Sequence, residues 1–302
     1  MPVSSPIAAI DEYSNPAAVS DLPACAGPST MVIGPSEGWQ WIDLSELWRF
    51  RELVYFLAWR DVKIRYKQTA LGAAWAILQP LMMMAVFTVF FGRMAGVPSA
   101  GLPYPLFAYA GLLAWTFFAA AVAGASNSVV GSERLITKIY FPRLAIPFAA
   151  AGAAVVDFAV ALSLLGVMML YYGVAPGVGL LAAPAIFGLI LLTALGCGTL
   201  LAALNVAYRD FRYVMPFLLQ LWMFATPTVY MQPSAARTGS GLLGALLSLN
   251  PMTGLVDAFR IAALGGSISW PLLLGPALAA VATFAAGCLY FRKVEDRFAD
   301  VI

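Results

Sequence analysis

Residues 179–204, GLLAAPAIFGLILLTALGCGTLLAAL, contain no charged side chain. As a helix at 1.5 Å per residue the stretch would run about 39 Å, more than the ~30 Å hydrocarbon core of a bilayer. Five further stretches read the same way, at about 72–92, 105–126, 144–171, 214–231 and 271–291. In lipid a backbone must satisfy its own polar groups, which leaves helices as the choice for such runs. The expectation is an all-α integral membrane protein with six transmembrane helices. The composition agrees. The chain is 62% hydrophobic and 11% charged, against about 45–50% and 25% in soluble proteins.

Other stretches fall between or ahead of these spans. The apolar region 241–264 is broken by Asn250-Pro251, and each half is too short to cross, which predicts short re-entrant helices before the last span. Residues 1–44 are rich in Pro, Gly, Ser and Ala and lack the basic start and apolar core of a signal peptide. They read as a disordered cytoplasmic extension. Residues 68–302 then form the transmembrane domain.

Lys and Arg set the orientation. Arg49, Arg51, Arg60, Lys63, Arg65 and Lys67 precede the first span, and Arg134, Lys138 and Arg143 separate the second from the third. Arg209 and Arg212 lie between the fourth and fifth, and Arg292, Lys293 and Arg297 follow the sixth. The opposite side keeps Arg93, Arg237 and Arg260. Both termini are therefore expected in the cytoplasm.

Residues 45–67, SELWRFRELVYFLAWRDVKIRYK, predict an amphipathic helix. At 100° per residue Leu47, Phe50, Leu53, Val54, Leu57 and Ile64 share one face, and Arg49, Glu52, Arg60, Lys63 and Lys67 the opposite one. Trp48, Tyr55, Trp59 and Tyr66 line the boundary, as in a helix lying in the headgroup layer. The plain reading is topogenic charge and anchoring. A sharper one adds Arg60, Lys63, Arg65 and Lys67 as contacts for an anionic headgroup.

Catalytic chemistry finds no support. The chain has no histidine, the commonest general base and metal ligand. Cys25, Cys197 and Cys288 lack metal-ligand or disulfide spacing. No lysine precedes Ser or Thr, so a GxxxxGK[ST] phosphate loop is absent. Asp157 is the one acid well inside a span, where an ion-coupled carrier would have several; it reads more naturally as hydrogen-bonded to a neighbouring helix than as a substrate contact. No catalytic residue, metal or cofactor is assigned to this chain. If the chain is a transporter, its energy would have to come from a separate ATPase.

Three ordered motifs carry a family resemblance. Arg60-Asp61-Val62-Lys63-Ile64-Arg65-Tyr66-Lys67, with Leu71-Gly72, Trp75 and Gln79-Pro80, resembles the approach to span one in ABC-2-type permeases. The similarity is to the polysaccharide and polyol-phosphate branch, which serves O-antigen, capsule and teichoic acid export. Residues 133–143, ERLITKIYFPR, resemble its cytoplasmic loop after span two, and Asn250-Pro251-Met252 with Arg260 its outer loop before span six.

This resemblance implies a homodimer in the bacterial inner membrane, bound to two copies of an ABC nucleotide-binding subunit that holds ATP and Mg. Its substrate would be a glycan on a polyprenyl-pyrophosphate carrier; membrane lipids are partners and nucleic acid is not. Glu133, Arg134, Lys138, Pro142 and Arg143 would form the ATPase-coupling loop. Asn250, Pro251 and Arg260 would belong to the outer gate. Aromatics crowd spans one, two and five: Phe87, Phe90, Phe91, Tyr109, Trp115, Phe117, Phe118, Phe217, Trp222, Phe224 and Tyr230. Most would pack between helices or face lipid. Phe87, Trp115, Phe118 and Trp222 are the candidates for stacking on sugar rings in a conduit. The alternatives are an ABC-2 exporter of a drug or other lipid and, from another class, a membrane-embedded glycan-modifying enzyme.

Overall fold

A computed structural model describes residues 44–67, 74–99, 101–138, 141–208, 210–231, 250–266, 268–295 and 298. The expected extension lies outside these but for Leu44, as do Leu71-Gly72 and the half of the re-entrant pair before Asn250. The described residues all belong to one unit, residues 39–302.

The described residues form helices and connecting turns, without a strand. In chain order they are α1 (Leu44–Arg49), α2 (Arg51–Lys67), α3 (Ala74–Phe87), α4 (Tyr104–Gly131), α5 (Glu133–Ile136) and α6 (Ala145–Tyr172). Then come α7 (Ala183–Ala207), α8 (Phe211–Ala225), α9 (Pro251–Ala263) and α10 (Trp270–Glu295). A wider π-helical turn, Thr88–Met94, extends α3, and a 3₁₀ turn, Val178–Ala182, leads into α7.

Local chemistry sets the ends. Pro103 precedes α4 and Pro105 sits in its first turn, where a missing N–H costs nothing. Gly173, at φ +66°, closes α6: its N–H bonds Leu170 O, and the Val174 N–H reaches Met169 O at 3.0 Å. That paired closure needs a left-handed residue, which glycine supplies without strain.

Among the described residues, five helical segments are long and apolar enough to cross a membrane: Ala74–Met94, Tyr104–Gly131, Ala145–Tyr172, Val178–Ala207 and Trp270–Glu295. The expected fifth span differs. Its helix, α8, stops at Ala225 after 15 residues, about 22 Å. Thr226 takes an extended conformation (φ −107°, ψ 133°) because it precedes Pro227, whose ring disfavours the helical region for the residue before it. The periodicity of 214–231 continues through that break; the backbone does not.

The α4 helix is the axis of the fold. Its apolar window is 78% buried, against 11% for the first span, and α3, α6, α7, α8 and α9 pack around it. α7 and α10 meet through small residues: a Cβ added at Gly287 would lie 2.1 Å from Gly196 O. Helices in lipid associate by such close backbone approach, since apolar burial drives little there.

The amphipathic helix is present as α2, but it rides along α6 instead of meeting it at one crossing. Ala58 packs against Gly152, and Arg65 and Tyr66 reach Asp157 further along the same helix. The row turned toward the protein is Val54, Ala58, Val62 and Tyr66. Successive i,i+4 positions rotate by about 40°, so by its C-terminal end the inward face has turned away from Ile64. Leu57 is 4% exposed and Ile64, one heptad on, is 68% exposed; Ile64, placed on the apolar face from sequence, lies outside the face that is buried.

Candidate functional site

Three clusters gather most of the predicted site residues. On the outward side of α2, Phe56, Trp59, Arg60, Lys63, Ile64 and Lys67 line an open groove of about 310 Å³. Lys63 Nζ stands 5.8 Å from the Trp59 ring centre, within reach of a weak cation–π attraction. Arg60 bonds its neighbour Asp61 through Nη2 at 2.8 Å and Nε at 3.0 Å. Among the described residues neither Lys63 nor Lys67 has a carboxylate partner. Among the described residues, the groove therefore offers two ammonium groups without a carboxylate partner, beside an indole.

Arg65 belongs to the other side of the helix. Its guanidinium and the Tyr66 hydroxyl both donate to the Asp157 carboxylate on α6. Burial first, and the bond to Asp157 second, push the Tyr66 phenol up to about 12, so it stays protonated and donating. The four cations proposed from sequence as one headgroup set are thus divided, three in the groove and one committed to an acid inside a span. An unpaired Asp there would cost ~2.5–3.5 kcal/mol. Asp157 also borders a cavity of about 100 Å³ with Gln79, Pro80, Thr116, Phe117 and Phe158.

At the C-terminal end of α4, the α5 turn presents Glu133, Arg134 and Lys138 as exposed side chains and points Ile136 inward. Ile136 and Phe141 join a buried cluster with Leu144, Val206, Phe291 and Phe298. Pro142 and Arg143 are half-buried between the two. The loop thus has one charged face and one face anchored to the ends of α6, α7 and α10.

The third cluster ties α8, α9 and α4 together. Asn250 caps α9, its side-chain oxygen accepting from Met252 N–H at 3.1 Å and from the Trp222 indole at 3.0 Å. Its amide donates to Thr226 Oγ1 at 3.0 Å. Pro251 opens α9 at a position that needs no N–H. Arg260, one α9 turn after Asp257, is 3% exposed. Its Nη2 donates to Pro227 O at 2.8 Å and Thr228 O at 2.6 Å, the carbonyls freed where α8 breaks. The guanidinium lies 4.0 Å from the Phe107 ring centre, and Asp257 Oδ1 is 3.8 Å from Nη1. Tyr104 OH adds a 2.8 Å bond to Val229 O.

The aromatic candidates fall into this same region. Trp115, Phe118 and Trp222 form one packed set, with centroids 5.0–6.2 Å apart. Phe118 and Trp115 are buried, and Phe87 packs on Phe91 at 5.7 Å. In this conformation they fill the interior of one chain. The exposed rings on the same helices are Trp75, Phe90, Tyr213, Phe217 and Phe224. Sequence reasoning did not separate these two sets, because both follow the same apolar periodicity.

Residues 52–264 match the family described as ABC-2 type transporter. The chain is 30% identical over 260 residues to the O-antigen export system permease protein RfbA of Myxococcus xanthus, covering 85% of this chain and 98% of that one. It is 23% identical over 257 residues to the protein of the same name from Klebsiella pneumoniae, with 83% and 95% covered. Together with the apolar helices, these relatives make the chain a multi-pass protein of the bacterial inner membrane and a transport component, not an enzyme. It belongs to the ABC-2 type transporter family.

Proposed function

We propose that this chain is the permease of an ATP-binding-cassette exporter that moves a polyprenyl-pyrophosphate-linked polysaccharide, such as an O-antigen, across the inner membrane. It works as a homodimer with two copies of an ABC ATPase subunit, which bind ATP and Mg. The observation that carries this reading is the near end-to-end match to two permeases named for O-antigen export. The groove on α2 adds a chemical reason: ammonium groups beside an indole suit a pyrophosphate at the membrane surface. The exposed face of α5 meets the ATPase, and α9 forms the outer gate.

The chain crosses six times with both ends in the cytoplasm. Asn205, near the end of α7, bonds Ser126 O at 2.9 Å, while Val229 O accepts from Tyr104. Ser126 and Tyr104 lie about 33 Å apart along α4, roughly one bilayer core. Between 205 and 229 the chain covers that distance, partly as α8 and partly as extended backbone. This supports a crossing although α8 alone is short.

The test is reconstitution in proteoliposomes with the ABC subunit. The isolated chain hydrolyses no ATP; the complex does, and lipid-linked glycan stimulates it. Stimulation by amphipathic drugs and not by lipid-linked glycan would replace this reading with a drug or lipid exporter. Turnover by the pure chain would overturn it altogether.

A further inference from the structure

We infer that Asp157 is a positioning residue: from inside α6 it holds α2, through Arg65 and Tyr66, so that the Lys63–Lys67 groove stands where substrate loads. This rests on the functional reading above and deepens it. The observations are geometric. Asp157 takes two donors from adjacent positions of α2, one cationic and one neutral. Adjacent residues on a helix diverge by about 100°, so accepting from both fixes the rotation of α2 as well as its distance.

The groove residues occupy the other side of the same helix. A rotation of α2 about its axis would turn Lys63 and Lys67 by the same angle. Among the described contacts of α2 with α6, the Ala58–Gly152 approach is apolar and small, with Cβ positions 3.3 Å apart. It permits close packing but selects no rotation. Asp157 supplies the directional contact. The acid is placed where an unpaired carboxylate is unfavourable, which keeps it engaged with its donors. The neighbouring α3 and α4 bring Gln79 and Thr116 to the adjoining cavity, but no charge.

The experiment has two readouts in one set of variants, made without Cys25, Cys197 and Cys288. The first uses Ala58→Cys with Gly152→Cys, whose Cβ positions would stand 3.3 Å apart, a few tenths of an ångström short of the ~3.5–4.5 Å of a disulfide, and measures cross-linking rate in membranes without substrate. The second measures ATPase stimulation of the reconstituted complex by lipid-linked glycan, separating half-saturating concentration from maximal rate. Asp157→Asn and Arg65→Gln are expected to slow cross-linking about tenfold and raise half-saturation about tenfold, with maximal rate within about twofold. The exchange of Arg65→Asp with Asp157→Arg is expected to restore both.

Unchanged cross-linking in Asp157→Asn, or slowed cross-linking with unchanged half-saturation, overturns the inference. So does an exchange variant that inserts normally yet recovers neither readout. If wild-type complex ignores lipid-linked glycan, the functional reading fails; cross-linking then still decides whether Asp157 fixes the helix.

Discussion

Arg260 concentrates several interactions in one side chain, and each suggests what its loss would do. Its Nη2 serves two carbonyls that no helix continues to satisfy. Hydrogen bonds to a charged group contribute ~1.5–3 kcal/mol each, and an orphaned buried carbonyl costs a further penalty. Arg260→Gln is expected to lower stability by ~3–5 kcal/mol, the range for breaking a buried charged contact. Arg260→Lys is expected to lose ~2–3 kcal/mol, because one ammonium reproduces neither the planar stacking on Phe107 nor the fork. Gly111→Ala is expected to act similarly, at ~1–3 kcal/mol, since its Cβ would lie 2.1 Å from Thr228 O and 2.4 Å from Nη2. Thermal midpoints of the purified protein in detergent check all three; wild-type behaviour of Arg260→Gln would remove the clamp. Little of this was legible in the sequence. Arg260 stood out through a motif, but its acceptors lie 32 and 33 positions earlier and are backbone atoms, which carry no residue signature. Asp157 was readable as an acid needing a partner; that the partner would be a proposed headgroup ligand was not.

Elements were legible where one period ran unbroken. The five long helices fall within a few residues of the expected spans because their limits coincide with proline, glycine or charge. α8 diverged because hydropathy is indifferent to the Thr226-Pro227 backbone constraint. α2 diverged in its faces because a wheel at fixed rotation ignores the drift imposed by packing on α6. The α5 turn follows α4 directly, and its chemistry gives a prediction. On the proposal that α5 meets the ATPase, reversing Glu133→Arg and Arg134→Glu would remove two charged contacts and substitute like-charge opposition. That is worth ~2–3 kcal/mol if both face the ATPase, or about 30–150-fold in assembly. The inward side chain Ile136 is untouched, so insertion is expected to persist. Co-purification of the ATPase measures the first quantity and membrane yield the second; unchanged co-purification would move the interface to α1 and α2.

For the whole molecule, the open matter is whether α8 carries the chain across, and charge counting alone barely decides it. With six crossings, 14 Lys and Arg residues lie in the cytoplasm and three outside. With α8 turned back, Arg237 and Arg260 would move inside and Arg292, Lys293 and Arg297 outside, leaving 13 and four. The two counts are nearly the same, although Arg260 is buried and held by backbone carbonyls, so it is a poor topogenic signal. The α4 contacts discriminate better, since Asn205 and Val229 touch opposite ends of one long helix. A segment that turned back could not bring Val229 to Tyr104. Single cysteines at Ser132 and Ser269, in a chain without Cys25, Cys197 and Cys288, make the difference measurable. Ser132 follows α4 at the α5 end, and Ser269 is an exposed residue just before α10. Three crossings separate them if α8 spans and two if it does not. A membrane-impermeant thiol reagent added to intact cells is therefore expected to label Ser269→Cys and spare Ser132→Cys, with the pattern reversed in inverted vesicles. Labelling of both from the same face would leave five crossings, put the C-terminus outside, and place α9 on the ATPase side, where it could not serve as an outer gate.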